Sequence, residues 1–370
     1  MTEELFCIGC GAKIQTTDPK ALGYTPQGAL EKGLAEEQLY CQRCFRLRHY
    51  NEIADVSLTD DDFLHLLNEI RNVEALIVNM VDIFDFNGSL IPGLHRFVGD
   101  NPVLLVANKV DLLPKSTNLK KLKNWLLQQA HKAGLRPVDV LLTTSQKVPS
   151  IMELLTKIEK YRQQKDVYVV GVTNVGKSSL INGIIKQTAG MQEVITTSRF
   201  PGTTLDKIEI PIDDGHYIVD TPGIIHRHQM AHLLEPEELK SITPLKEIKA
   251  RTYQLQSEQT LFMGGLARFD FVTKEKASVT CYFANGLDIH RRKTSGSDEF
   301  YAQHCGELLM PPLGKDRAAV LPPLHPQTFK ITEKSDIVFS GLGFITVKGP
   351  CQVTAYAPQG IAVMVRQAII

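Results

Sequence analysis

No run in this 370-residue sequence approaches the roughly 18 consecutive apolar residues that a membrane-spanning helix needs. Its start, Met1-Thr2-Glu3-Glu4-Leu5-Phe6, also lacks the cationic segment and apolar stretch of an export signal. These two absences predict a cytoplasmic chain with no membrane partner. An excess of one charge is missing as well: Lys plus Arg and Asp plus Glu number 41 each, so any nucleic-acid contact has to come from a local basic patch. Cysteine is sparse. Of seven, four sit in two close pairs, while Cys281, Cys305 and Cys351 are scattered and odd in number, which disfavours a secreted disulfide framework. Apolar residues are plentiful at 43%, and the chain is longer than one core usually organises, so two or three globular domains are expected.

The cysteine pairs are Cys7-Ile8-Gly9-Cys10 and Cys41-Gln42-Arg43-Cys44. A C-x-x-C spacing lets the chain turn tightly and offer two thiolates to one tetrahedral zinc ion. Between the pairs the stretch from Gly11 to Tyr40 exceeds the usual ribbon spacing, and its turn formers Asp18-Pro19 and Gly23-Tyr24-Thr25-Pro26 mark an inserted loop. So short a segment buries too little surface to fold unaided, and metal binding would supply the missing free energy. Residues 1–52 are therefore read as a zinc-binding domain held by Cys7, Cys10, Cys41 and Cys44. Unmetallated buried cysteines and a redox pair are the competing readings, but neither pair has the strand-to-helix setting of thioredoxin-like chemistry. Arg43, Arg46, Arg48 and His49 suit RNA phosphates and a solvated basic face equally well.

The strongest motif is Gly171-Val172-Thr173-Asn174-Val175-Gly176-Lys177-Ser178, a G-x-x-x-x-G-K-S loop between a strand-like Val167–Val170 and a helix carrying Leu180, Ile181, Ile184 and Ile185. Glycines permit a close wrap, and backbone N–H groups from Gly171 and from Asn174 through Val175, Gly176 and Ser179 cradle phosphate. Lys177 pairs with β- and γ-phosphate oxygens, and Ser178 ligates Mg²⁺. A second motif, Asn108-Lys109-Val110-Asp111, follows the apolar strand Val103–Ala107, at the strand end where open α/β sheets bind ligands. Asp111 suits the N1–H and amine of guanine, a donor pair that adenine lacks. Asn108 would tie the loop to the phosphate loop, and the stem of Lys109 would cover the base. Thr144-Ser145-Gln146-Lys147, after the strand Val138–Thr143, resembles the last guanine motif, whose backbone N–H reads O6.

Pro201-Gly202-Thr203-Thr204 resembles a first switch, with Thr204 or its neighbour Thr203 closing over Mg²⁺ and the γ-phosphate. In Asp220-Thr221-Pro222-Gly223, Asp220 would hold Mg²⁺ through water and the Gly223 amide would meet the γ-phosphate. Asp213-Asp214-Gly215 predicts a hairpin between the strands Lys207–Ile212 and His216–Asp220. Helices are expected over Asp61–Ile70, Leu90–Val98 and Leu119–Ala133. Where Ras-like proteins carry a water-orienting glutamine, this chain has Ile224 followed by Ile225, which predicts slow intrinsic hydrolysis. No catalytic base is visible, so Lys177, Asn174 and Thr204 are the candidates for electrostatic stabilisation. Asn174 matches the asparagine that coordinates K⁺ in several related GTPases; the alternative is that it only caps the loop.

The guanine motif stands before the phosphate loop, the reverse of the ordinary order, so residues 53–226 are read as a circularly permuted P-loop GTPase domain of the α/β class. Permutation puts the switch segments at the domain's end, directly before residues 227–370. That last region opens with Ile225-His226-Arg227-His228 and an acidic cluster, Glu235-Pro236-Glu237-Glu238, which starts a short helix. It continues as short β-like runs separated by Gly264-Gly265, Asn285-Gly286 and Gly349-Pro350, predicting an antiparallel β-rich domain. His290-Arg291-Arg292-Lys293, read as a flexible loop, is the best candidate for RNA phosphates and equally a solvated basic loop.

With its four-cysteine start, motifs in the order N-K-x-D, T-S-x-K, G-x-x-x-x-G-K-S, P-G-T-T, D-T-P-G and a C-terminal extension, the chain resembles the YqeH family of circularly permuted GTPases over nearly its whole length. That resemblance implies a role in assembly of the small (30S) ribosomal subunit and a C-terminal region similar to a β-rich RNA-binding fold. The implied cofactors are GTP or GDP, Mg²⁺ and Zn²⁺, with K⁺ as a further expectation; the implied partners are rRNA or a precursor of the small subunit. Two other functional classes are weighed beside it. One is a GTP-gated signalling switch that recruits a protein through the C-terminal domain, and the other is a thiol redox enzyme built on the N-terminal cysteines.

Overall fold

The structure is a computed structural model and describes residues 5–7, 12–19, 21, 23–35, 39–42, 45, 57–58, 68–188, 196–199, 206–212, 214–221, 223–224, 226, 228–256, 258–272 and 276–370. By its internal contacts the chain forms two units: residues 1–110 with 119–226, and residues 111–118 with 227–370.

In the first unit, strand β1 is Ser57–Leu58, β2 Ala75–Asp82, β3 Val103–Asn108, β4 Asp139–Leu142, β5 Asp166–Gly171, β6 Thr196–Arg199, β7 Asp206–Pro211, β8 Tyr217–Asp220 and β9 Gly223–Ile224. Seven of them form one sheet in the order β4-β3-β2-β5-β8-β7-β6, parallel from β4 to β8 and antiparallel beyond. β2 and β3 are buried almost end to end, as parallel strands covered on both faces must be. Helices Leu119–Lys132, Val148–Arg162 and Lys177–Thr188 supply the connections. The short β1 and β9 pair in parallel, Ser57 opposite Gly223 and Leu58 opposite Ile224. The helix expected over Leu90–Val98 is instead two turns, Phe86–Ser89 and Leu94–Phe97. Pro92 removes a donor there, and Gly93 is left-handed at φ +71°, so the chain cannot run through as one helix. Of the helix expected over Asp61–Ile70, residues 68–70 are helical and 61–67 lie outside the described residues.

The second unit holds β10 Arg251–Leu255, β11 Gln259–Met263, β12 Ala267–Val272, β13 Ala277–Phe283, β14 Ile289–Lys293, β15 Leu324–Ile331, β16 Ser335–Phe339, β17 Gly343–Val347, β18 Cys351–Pro358 and β19 Val363–Gln367. They form two antiparallel sheets, β10-β13-β17-β16-β19 and β14-β11-β12-β18-β15. Leu261, Phe269, Phe271, Cys281, Ile337, Ile345 and Val353 lie in one core drawn from both sheets. The antiparallel expectation is met, with one correction. His290–Lys293 is not a flexible loop but the body of β14, hydrogen-bonded along β11, with Arg292 opposite Thr260 and Arg291 opposite Leu261. As an outer strand, β14 has one covered flank only, so its side chains can be charged without breaking the ladder.

These two sheets are related by an internal repetition that no sequence motif announced. If β10 to β14 are matched in turn with β15 to β19, the first sheet order becomes the second read backwards. Side chains follow the same rule. Thr252 meets Thr280 at 3.2 Å as Thr328 meets Thr354 at 3.0 Å. The buried pair Thr260–Asp270, bonded at 2.6 Å, corresponds to Asp336–Thr346, also at 2.6 Å, with the residue types exchanged. Arg292 opposite Thr260 matches Arg366 opposite Asp336.

Candidate nucleotide site

The sheet order brings the ends of three strands together. β2 lies between β3, which delivers Asn108, and β5, which ends at Gly171; Asp82 is in register with Asn108 and Met80 with Gly171. Asn108 is fully buried, and its two amide atoms do different work. Nδ2 donates to the Val175 carbonyl at 2.9 Å, and Oδ1 accepts the Ser145 N–H at 3.2 Å. One side chain thus joins the N-K-x-D, T-S-x-K and phosphate-loop segments. The Thr144 hydroxyl accepts the Gln146 N–H at 3.2 Å and shapes the turn that follows β4. Asp111 stands in the short helical turn Val110–Leu112, directly after Lys109.

The phosphate loop keeps the wrap its glycines allow. Gly176 has φ +86°, and Gly171 passes so close to β2 that a Cβ there would meet the Met80 carbonyl at 2.9 Å. Asn174 and Ser179 are exposed, Val175 is buried, and Asn174 takes a left-handed φ of +65°. Lys177 and Ser178 open the helix Lys177–Thr188, whose Leu180, Ile181, Ile184 and Ile185 are buried. Lys177 and Asp220 are buried, 4% and 2% exposed, and the Lys177 ammonium hydrogen-bonds to the Asp220 carboxylate and to the Thr221 carbonyl. Gly223 lies against the loop, a Cβ there coming within 3.2 Å of Thr173 Cγ2. The predicted residues Asn108, Lys109, Ser145, Asn174, Val175, Gly176, Lys177, Asp220 and Gly223 are therefore gathered at one edge of one sheet, with Ser178 at the helix start. Thr203 and Thr204 lie outside the described residues.

Asp82 was not singled out in the sequence, yet it holds the Lys109 ammonium at 2.7 Å. Of the metal candidates near the N-terminus, Cys7 and Cys41 are buried together, and the Cys41 N–H donates to Cys7 Sγ at 3.1 Å. Cys10 and Cys44 lie outside the described residues. Elsewhere, burial pushes the Cys281 thiol up to about 12 and also raises Cys305 and Cys351, which suits inert core cysteines rather than redox chemistry.

Comparison with known proteins agrees with this geometry. Residues 166–259 match the family described as "50S ribosome-binding GTPase", and residues 276–369 match "YqeH-like, C-terminal". The chain is 55% identical over 370 residues, all of both chains, to "Uncharacterized protein YqeH" of Bacillus subtilis (strain 168). It is 31% identical to "NO-associated protein 1, chloroplastic/mitochondrial" of Arabidopsis thaliana, across 92% of this chain and 69% of that one. A more distant likeness, 27% over 181 residues, covers 44% of this chain and 53% of "Mitochondrial ribosome-associated GTPase 1" of Mus musculus. A phosphate loop and guanine motif joined through one buried asparagine, followed by a C-terminal region that matches the YqeH-like description, make this chain a member of the YqeH family of GTPases.

Proposed function

We propose that the chain is a GTP-binding and GTP-hydrolysing switch in assembly of the small (30S) ribosomal subunit, with rRNA or a pre-ribosomal particle as its partner. It would comprise a zinc-binding domain over residues 1–52, a permuted GTPase domain over 53–226 and a β-rich effector domain over 227–370. The observation that carries the nucleotide part is Asn108, whose amide bonds both Val175 and Ser145 and so makes base recognition and phosphate binding one structure. Guanine selection falls to Asp111, and the turn at Thr144 and Ser145 offers backbone N–H to O6.

When nucleotide binds, Lys177 would exchange its bonds to Asp220 and the Thr221 carbonyl for the β- and γ-phosphates, freeing the Asp220 carboxylate. The buried carboxylate of Asp220 and the hydroxyl of Ser178 are hard oxygen donors of the kind Mg²⁺ takes, with Thr204 as the third candidate. Mg²⁺ there supplies charge neutralisation of the phosphate oxygens. Asn174, exposed in the loop, is the candidate K⁺ ligand, and Ile224 in place of a glutamine accounts for slow turnover. The N–H to sulfur bond between Cys41 and Cys7 supports a four-cysteine zinc site completed by Cys10 and Cys44. His290–Lys293, displayed along the outer strand β14, is the candidate RNA-contact row.

The ribosomal part rests on family membership, and the family matched by residues 166–259 is described by the large subunit, so the test must separate the two subunits. Crosslinking in cells with and without GTP loading, followed by sequencing of attached RNA, should recover small-subunit rRNA in one nucleotide state and lose it in Lys177→Ala. Recovery of large-subunit rRNA, or partner binding that survives nuclease, would overturn the 30S assignment; the nuclease outcome would favour the protein-recruiting switch. Calorimetry should find GTP bound in strong preference to ATP, and turnover in KCl should exceed that in NaCl.

A further inference from the structure

Asp82 ends β2, the strand between the guanine-motif strand and the phosphate-loop strand. Its position is fixed by the chain around it. Its own N–H donates to Ser89 Oγ at 2.9 Å, its Oδ1 accepts the Phe84 N–H at 2.8 Å, and the next amide, Ile83, donates to the Asn108 carbonyl at 3.1 Å. That leaves Oδ2, which receives the Lys109 ammonium at 2.7 Å. The same ammonium donates to the Asn174 carbonyl in the phosphate loop.

The two side chains are 14% and 26% exposed, so the pair is shielded without being sealed. Lys109 and Asn174 both have φ +65°, a left-handed conformation that residues with a Cβ disfavour, so the surroundings hold this arrangement against local preference. An ammonium with two fixed acceptors is no free rotor. Its four-carbon stem is stretched as a bar between the guanine motif and the phosphate loop.

We propose that Asp82 is a nucleotide-positioning residue: by pinning the Lys109 ammonium to the end of β2, it sets the lysine stem as the surface on which guanine lies and keeps that charge away from the phosphates. This rests on the guanine-nucleotide reading above. With the carboxylate gone, the ammonium keeps only a neutral carbonyl, and a bound phosphate becomes the strongest anion within its reach. Lys109 then leaves the base. Because Asp82 acts on the base side and not at the γ-phosphate, its effect belongs to GDP and GTP alike, and to binding more than to turnover.

The test is a double-mutant cycle in the full-length protein with fluorescent GDP and a fluorescent non-hydrolysable GTP analogue. Asp82→Asn keeps an oxygen for the Phe84 N–H and removes only the charge. It should raise Kd for both nucleotides about tenfold, by similar factors, a coupling typical of residues in direct contact. KM should rise with Kd, and kcat should fall far less. Lys109→Met, which keeps a stem without charge, should weaken binding comparably, and the double variant no further than the worse single one. Multiplying effects in the double variant, a loss confined to GTP, or wild-type Kd in Asp82→Asn would each overturn the proposal. Should Asp82→Asn fold poorly, Asp82→Glu keeps the charge but moves it by one methylene; it should raise Kd with its Tm intact, and an unchanged Kd would be fatal. Failure of the underlying reading looks different, because the wild-type protein itself would then not bind guanine nucleotides.

Discussion

A methyl group on Gly176 would lie 2.4 Å from Nδ2 of Asn108, on a backbone already at φ +86°. Gly176→Ala therefore strains the loop and expels the amide that joins the motifs. Conformational strain of about 1–3 kcal/mol and a lost hydrogen bond of about 1 kcal/mol together predict roughly a hundredfold weaker guanine-nucleotide binding, read by titration with fluorescent GDP. Asn79 presents the opposite case. It is 1% exposed in the middle of β2, and neither polar atom of its side chain has a hydrogen-bond partner among the described residues. Asn79→Val should stabilise the protein by about 1–2 kcal/mol, seen as a higher urea midpoint with an unchanged slope; nothing in the structure explains the asparagine. The residues of the phosphate loop and guanine motif were legible because their chemistry is carried by short, fixed spacings. Asp82 was not, since its partner Lys109 follows another strand, β3, and a carboxylate ending an apolar run looks like an ordinary strand boundary.

Among elements, β4 is tied to two helices through Asp139. Lys123 of the helix Leu119–Lys132 reaches it at 2.9 Å, Lys157 of the helix Val148–Arg162 at 2.6 Å, and the Tyr161 hydroxyl at 3.2 Å. Burial alone would raise this carboxyl, but the hydrogen bonds from Lys157, Lys123 and the Val140 N–H outweigh it and hold Asp139 well below the usual carboxylate range. A carboxylate depressed in the folded state stabilises fully above its unfolded value of about 3.9 and loses that contribution as pH falls toward its folded value. Asp139→Asn should cost about 1–2 kcal/mol at pH 7, allowing for the partly exposed lysines. In urea midpoints taken from pH 7 to pH 2, the gap to wild type should begin to close below about pH 4. The buried parallel strands were legible as apolar runs, and the hairpin tips at Gly264-Gly265 and Asn285-Gly286 as turns. β10, β14 and β15 were not. Each is an outer strand with polar residues on an open flank, β14 is charged, and β15 carries Pro326, which an edge position tolerates.

Over the whole molecule, the reversed motif order was plain in the sequence because each motif identifies itself wherever it falls. Less visible was where the chain changes unit: Asp111–Asn118 groups with the second one, Ile248 N–H donating to the Leu112 carbonyl at 2.9 Å and Lys115 N–H to Glu247 Oε1 at 2.9 Å. The repetition of the β-rich unit was hidden altogether, since the matching pair Thr260–Asp270 and Asp336–Thr346 trades residue types between strands. That trade is testable. Thr260→Asp alone sets two buried carboxylates together and should destabilise by about 3 kcal/mol or more. Adding Asp270→Thr moves the carboxylate opposite Arg292, as Asp336 is opposite Arg366, but takes from the buried Arg268 the carboxylate it holds at 2.8 and 2.6 Å, so urea melts should show only partial recovery.

Within this unit β13 pairs across to β17, and β18 to β12, so each half lends strands to the sheet of the other. Neither half closes a sheet by itself. Such mutual loans are what two identical chains make when they exchange arms, here carried out within a single polypeptide. Because the halves need not match within one polypeptide, one displays a basic outer strand, Ile289–Lys293, while its counterpart Val363–Gln367 carries the single cation Arg366.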